Sequence, residues 1–214
     1  MKIPYHIAIE GTIGVGKTSL AKLLGERLDS KLVLEEFEEN PFLVDFYKNS
    51  ERYAFQTQLF FLLSRYRQQQ LLQQTDLFTK MLVSDYMFVK DRLFAALNLS
   101  DKEMSLYNSV ASILEKSVSS PDLVIFLQSD TDRLMHNIKI RGREYEKMID
   151  WKYVDALNQM YNEFFFLYNS SPLLIINTND IDFVNNKNDL EEIIQFIRTP
   201  SEGTRYFNPM KSIS

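Results

Sequence analysis

Residues 5–28 read "YHIAIEGTIGVGKTSLAKLLGERL", and this stretch decides the fold. A short apolar run ends at Glu10. Gly11, four variable residues and then Gly16-Lys17-Thr18 follow at the spacing of a loop that cradles phosphate. An amphipathic helical pattern comes next, so the loop joins a strand to a helix N-terminus. That context separates such a loop from a chance match, because backbone N–H groups and the helix dipole then face the same anion. Gly11, Thr12, Gly14, Val15, Gly16, Lys17, Thr18 and Ser19 are the expected nucleotide-binding residues. Lys17 is expected on the β- and γ-phosphates and the Thr18 hydroxyl on Mg2+.

Beyond the loop, strand-like runs recur at 31–35, 81–85, 123–127 and 173–177. Helical patterns fill 17–28, 52–74, about 100–118, 130–140, 150–169 and 188–198. Strands alternating with long helices predict an α/β fold, a five-stranded parallel sheet with helices on both faces. The expected layout is one domain over 1–198 and a C-terminal tail over 199–214, frayed or strapped over the body, with Tyr206 and Phe207 favouring the strap. In such sheets ligands bind beyond the carboxyl ends of the strands. Asp85 closes the third run and is the expected second Mg2+ ligand, whereas Asp122 precedes its strand and lies at the wrong edge.

Composition narrows the classes. Hydrophobic residues make up 45% and charged residues 25%, with a net charge of -5, which argues against a duplex nucleic-acid binder. There is no cysteine and only two histidines, so no thiolate metal site is expected. No apolar run reaches membrane-spanning length, and residues 1–10 lack a signal-peptide pattern. The expectation is a cytoplasmic protein without membrane or duplex partners.

Residues 34–69, "LEEFEENPFLVDFYKNSERYAFQTQLFFLLSRYRQQ", resemble the deoxynucleoside kinase family, which carries an acidic motif after the second strand, then Tyr, then a helix with "FQ…LSR". The family includes deoxycytidine, deoxyguanosine and insect multisubstrate kinases and bacterial deoxyadenosine kinases. The resemblance runs to about residue 183 and implies a P-loop kinase with a short Arg-rich lid at about 137–147. It implies ATP as donor, a deoxyribonucleoside as substrate and a homodimer through long helices such as 52–74 and 100–118.

Residue by residue, it makes Glu35 the general base for the nucleoside 5′-hydroxyl, with Glu36 at the family's proline position. Glu36, Glu38 and Glu39 are expected to raise its pKa by like-charge repulsion. Tyr47 aligns with a tyrosine on the sugar 3′-hydroxyl, Gln58 with a glutamine that reads the base, and Asp91 with an aspartate that pairs with Arg65 beside it. In "HNIKIRGREYEKMIDW" (136–151), Arg141 and Arg143 are expected over the transferred phosphoryl group and Glu146 on the 3′-hydroxyl. Asp182 and Phe183 of "NTNDIDF" are expected against the donor's adenine. Phe37 or Phe94 is a candidate for stacking on the base, while Phe60, Phe61 and Phe164–Phe166 read as core or subunit contacts. Trp151, His6 and His136 receive no role.

Two departures stand out. Tyr86 replaces the arginine that usually follows the acidic residue after the third strand, leaving Lys90 or Arg92 as substitute cations. Asn137 replaces an extra lid arginine. The bacterial-type motifs "EENP" and "NEFF" favour deoxyadenosine and deoxycytidine. Two other classes fit the loop: a nucleoside monophosphate kinase of thymidylate-kinase type and a non-catalytic nucleotide switch. The acidic "EEFEEN" (35–40) repels an anionic acceptor, which disfavours the first. The second needs a guanine-reading "NKxD" after a strand, and "NKND" at 186–189 opens a helix instead.

Overall fold

The computed structural model describes residues 5–74, 81–199 and 202–207. The sheet is parallel and six-stranded: β1 (His6–Glu10), β2 (Lys31–Val33), β3 (Leu82–Ser84), β4 (Leu123–Gln128), β5 (Leu173–Asn177) and β6 (Thr204–Phe207), in the order β2-β3-β1-β4-β5-β6. The expected five strands are all present, and β6 corrects the count. The tail forms a strand rather than a strap because Leu173–Ile176 of β5 would otherwise leave an open edge, and Thr204–Phe207 pair along it. Phe207 turns inward against Phe196, with ring centroids 4.9 Å apart, while Tyr206 stays exposed.

Eight α-helices occur among the described residues: α1 (Lys17–Leu28), α2 (Leu43–Lys48), α3 (Ser50–Gln74), α4 (Lys90–Asn98), α5 (Asp101–Leu114), α6 (Thr131–Arg141), α7 (Trp151–Leu167) and α8 (Lys187–Arg198). Their ends follow local chemistry. Asp130 and Asp150 accept hydrogen bonds from the N–H groups of Arg133 (2.8 Å) and Tyr153 (2.7 Å), starting α6 and α7. Gly142, at φ +68°, ends α6 in the left-handed region. The sequence pattern missed α2 and α4. Both are too short to establish a period, and α4 turns Lys90 and Asp91 inward, inverting the polarity expected of a surface helix.

The central strands are apolar on both faces, as a sheet covered on both sides requires. Alternate residues feed two cores. Ile7, Ile9, Ile125 and Leu174 pack with Leu20, Leu24 and Ile193 on one face. Ala8, Val124, Phe126 and Ile175 pack with Leu157, Tyr161 and Phe165 of α7 on the other, where the Phe126 and Phe165 rings stack at 4.3 Å. Each fully buried aliphatic side chain contributes about 1.5–3 kcal/mol. A third cluster, including Leu62, Phe88 and Tyr107, joins α3, α4 and α5. No helix among the described residues is long and apolar enough to cross a membrane.

Candidate active site

A cavity of about 770 Å³ opens beyond the carboxyl ends of β1 and β3, bounded by the phosphate loop, α3, α4 and the lid. The loop's geometry depends on its glycines. Gly11 has φ +148° and Gly14 φ +89°, and a Cβ on either would fall within 2.7 Å of a carbonyl oxygen, Leu127 O or Leu134 O. Only glycine fits both the dihedral and the space. Asn137 Nδ2 donates to Gly14 O at 2.9 Å, so the residue in place of a lid arginine ties α6 to the loop.

Lys17 folds across this loop, donating to Gly11 O (2.6 Å) and Thr12 O (3.2 Å). Burial, and then the charge of Lys90, lower its pKa to about 8 despite the opposing carboxylates of Glu10, Glu35 and Asp85. Glu10, fully buried at the end of β1, accepts from Met87 N (2.7 Å), Gly11 N (3.2 Å) and the Tyr161 hydroxyl (3.3 Å). Its carboxyl is pushed up by burial.

Thr18 and Asp85 meet where their sequence positions imply. Thr18 Oγ1 donates to Asp85 Oδ2 at 2.5 Å, and Asp85 Oδ1 accepts the Glu35 N–H at 2.8 Å. A hydroxyl and a carboxylate beside a phosphate loop are the oxygen donors that suit Mg2+, which uses few protein ligands and completes its shell with phosphate and water. Asp122, by contrast, accepts Tyr5 and His6 N–H groups at the opposite edge of the sheet.

Glu35 lines the same cavity. Arg65 Nη2 contacts Oε1, and Lys90 Nζ donates to Oε2 at 2.6 Å. Burial alone would raise the Glu35 carboxyl, but Arg65, Lys90 and Lys17 outweigh it and hold the group well below the usual carboxylate range. This reverses the expected upward shift. Glu36, Glu38 and Glu39 point into solvent, where water screens their repulsion, whereas the cations are buried against the carboxylate.

Arg65 continues to Asp91 through its Nη1 and lies over the Phe61 ring at 4.9 Å. Gln58, Arg65 and Asp91 are therefore brought together, all buried, with Gln58 Oε1 and Asp91 Oδ2 lacking hydrogen-bond partners among the described residues. Phe61 lines the cavity instead of the core, as do Phe37 and Phe94. Its helical spacing gave no sign of this, since a cavity wall and a core face have the same period.

The lid is formed by the end of α6 and a 3-10 turn over Glu144–Met148. Arg141 grips Glu146 through Nε (3.0 Å) and Nη2 (2.7 Å), and Arg143 Nη1 adds a contact at 3.3 Å. Tyr145 stacks on Tyr47 at 5.9 Å, and Arg143 covers the Phe37 ring at 4.1 Å, so the lid sits on the acceptor wall. The Tyr47 hydroxyl is pushed well above its ordinary pKa by burial, with Tyr153 and Glu146 adding to the shift. Phe183 packs beside Gly16. Asp182 caps its own turn, accepting from Val184 N (3.2 Å) and Asn185 N (3.0 Å). Tyr86 is fully buried and donates to Gln68 at 2.7 Å, pointing away from the loop. Arg92 pairs with Glu115 on another face. Of the two substitute cations, only Lys90 reaches the cavity.

Several known deoxynucleoside kinases are similar to this chain. A deoxyguanosine kinase of Bacillus subtilis (strain 168) is 35% identical over 199 residues, covering 90% of this chain and 95% of the relative. A deoxyadenosine/deoxycytidine kinase of the same organism is 32% identical, covering 89% and 90%. A deoxyadenosine kinase of Dictyostelium discoideum is 35% identical, covering 95% and 82%. Among solved structures, a deoxyadenosine kinase from M. mycoides with bound dATP superposes with a TM-score of 0.80 at 25% identity, covering 91% of this chain and all of that one. The deoxynucleoside kinase family model matches residues 7–200. On this match and these relatives, the chain belongs to the deoxynucleoside kinase family.

Proposed function

We propose that this kinase transfers the γ-phosphoryl group of ATP to the 5′-hydroxyl of a deoxyribonucleoside, giving the 5′-monophosphate for nucleotide salvage in the cytoplasm. The observation that carries the reading is Glu35, a largely buried carboxylate that lines the same cavity as the loop and its Lys17. A hydroxyl bound to Glu35 is oriented for in-line attack on a phosphoryl group held by the loop. Glu35 accepts the hydroxyl proton as the 5′-oxygen bonds to phosphorus, and ADP leaves with the electron pair of the broken bond.

The loop amides and Lys17 hold the donor phosphates, and Asp182 with Phe183 border the donor's adenine. Arg141 and Arg143 stabilise the spread charge of the transferring group. For both to do so they must exchange Glu146 for phosphate, which frees Glu146 to join Tyr47 on the sugar 3′-hydroxyl. Thr18 and Asp85 hold Mg2+, whose chemistry is to neutralise phosphate charge. A homodimer through α3 and α5 is supported by exposed Leu63, Leu106 and Ile113 on those helices.

Base selection rests on Gln58, Arg65 and Asp91. Gln58 lines the cavity with its Oε1 unpartnered, an acceptor that an exocyclic amino group can satisfy, and Asp91 acts through its pair with Arg65. This favours deoxyadenosine and deoxycytidine, with deoxyguanosine, named among the relatives, in the same class. A monophosphate acceptor is disfavoured by the carboxylates of Glu35 and Glu146.

The test is a panel of deoxynucleosides and their monophosphates with labelled ATP and Mg2+. Transfer to amino-bearing deoxynucleosides is expected, with thymidine at least about 10²-fold poorer in kcat/KM for want of the donor. Transfer confined to monophosphates would overturn the reading.

A further inference from the structure

Two cavity cations are left without a task by the proposed reaction, and Arg133 is tied to the carbonyls of Asn179 and Ile181, which leaves Lys90. It opens α4 with its side chain 5% exposed, its ammonium 2.6 Å from Glu35 Oε2 and 5.6 Å from the centre of the Phe94 ring. It lines the same cavity as Lys17, and its charge is felt there.

Both carboxylate oxygens of Glu35 are occupied: Arg65 contacts one and Lys90 the other. For a substrate hydroxyl to reach the carboxylate, one of these cations must let go. Arg65 is held elsewhere as well, by Asp91 and by the face of Phe61. Lys90 has Glu35 as its one ion-pair partner among the described residues. Its flexible stem and point charge also suit it to follow a moving anion, which the planar guanidinium of Arg65 does not. The anion that enters beside it is the donor's terminal phosphate.

We propose that Lys90 is a catalytic residue that exchanges Glu35 for the transferring phosphoryl group. As the 5′-oxygen bonds to phosphorus, the Lys90 ammonium moves from Glu35 Oε2 to a phosphoryl oxygen, and the hydroxyl proton passes to Glu35. The bond from phosphorus to the bridging oxygen breaks, and its electron pair leaves with ADP. Lys90 stays protonated throughout. Tyr86 does not compete for this position, because its hydroxyl is directed to Gln68. The inference rests on the proposed reading of the site.

The test compares steady-state kinetics of the wild type with Lys90→Gln, Lys90→Arg and Glu35→Gln, using ATP, Mg2+ and the best deoxynucleoside of the panel. Lys90→Gln is expected to lower kcat by about 10²–10³-fold, the worth of one preorganised charge-stabilising donor, with nucleoside KM within about threefold. Lys90→Arg keeps a cation but not the mobile point charge, so its kcat should fall between those of the wild type and Lys90→Gln.

Unchanged kcat, or a loss carried by KM alone, overturns the proposal. If Lys90→Gln does not fold, Lys90→Met is measured in its place against the same criteria. Should Lys90→Gln be silent while Glu35→Gln is crippled, only the role of Lys90 falls. Full activity in Glu35→Gln, or no transfer by the wild type to any deoxynucleoside, removes the underlying reading.

Discussion

Glu35 and Glu146 solve the same electrostatic problem in opposite ways. Each is a carboxylate in the cavity wall, and each is gripped by two cations. The partners of Glu35 come from α3 and α4, 30 and 55 residues away, and both are buried. Those of Glu146 lie five and three residues before it on the lid, and about a third of each side chain is exposed. Arg65 is also held by Asp91 and by the Phe61 ring, so its grip on Glu35 is rigid. The lid pairs are built within a surface turn and can open at little cost.

The sharpest way to break this comparison is at its rigid end. Glu35→Gln should lower kcat by about 10²–10⁴-fold, the usual worth of a positioned general base, as read by initial rates at saturating ATP. Wild-type turnover in this variant would remove the distinction between the two carboxylates.

Stability sharpens the contrast next. Arg65→Gln leaves Glu35 and Asp91 buried without their shared cation, and denaturant unfolding should show a loss of about 3–5 kcal/mol. Arg141→Gln removes a partly exposed lid partner, so the same measurement should show less than about 1 kcal/mol. Equal losses would mean that the lid pair is structural. Kinetically, Arg141→Gln should still cost about 10²-fold in kcat, because its charge is used on the phosphoryl group.

The smallest effect belongs to Glu146→Gln. Losing one charge-assisted hydrogen bond to the sugar should raise nucleoside KM about tenfold, a weakening of about 1.4 kcal/mol, with kcat little changed. A fall in kcat as large as that of Glu35→Gln would place Glu146 in the chemistry rather than in binding.

Much of this site was legible because its signals are local. The phosphate loop depends on glycine dihedrals and on a strand and a helix adjacent in sequence, so Gly11, Gly14 and Gly16 announce it. Gln58 and Arg65 share a face of one helix, a relation fixed by helical geometry. Asp85 ends a strand, which places it at the ligand edge of any parallel sheet. Tyr47 and Asp91 were named through family resemblance alone; nothing in their own neighbourhoods marks them.

Other features were not legible. α4 hides Lys90 and Asp91 inside, so its pattern does not read as an amphipathic helix. Phe61 has the spacing of a core residue, yet it carries Arg65 at the cavity wall. β6 comes from a stretch whose Pro, Gly and Ser content reads as a tail, and it becomes a strand because β5 supplies the pairing edge.

By itself the sequence determined the glycine loop between strand and helix and the parallel α/β sheet. These follow from period, spacing and residue type over a few neighbouring residues. Tertiary structure alone decided the sign of the Glu35 shift. Three neighbouring glutamates in the chain argue for an upward shift, but they sit in water. Arg65 and Lys90, far away in sequence, are buried against the carboxylate, where the low dielectric lets their charge prevail.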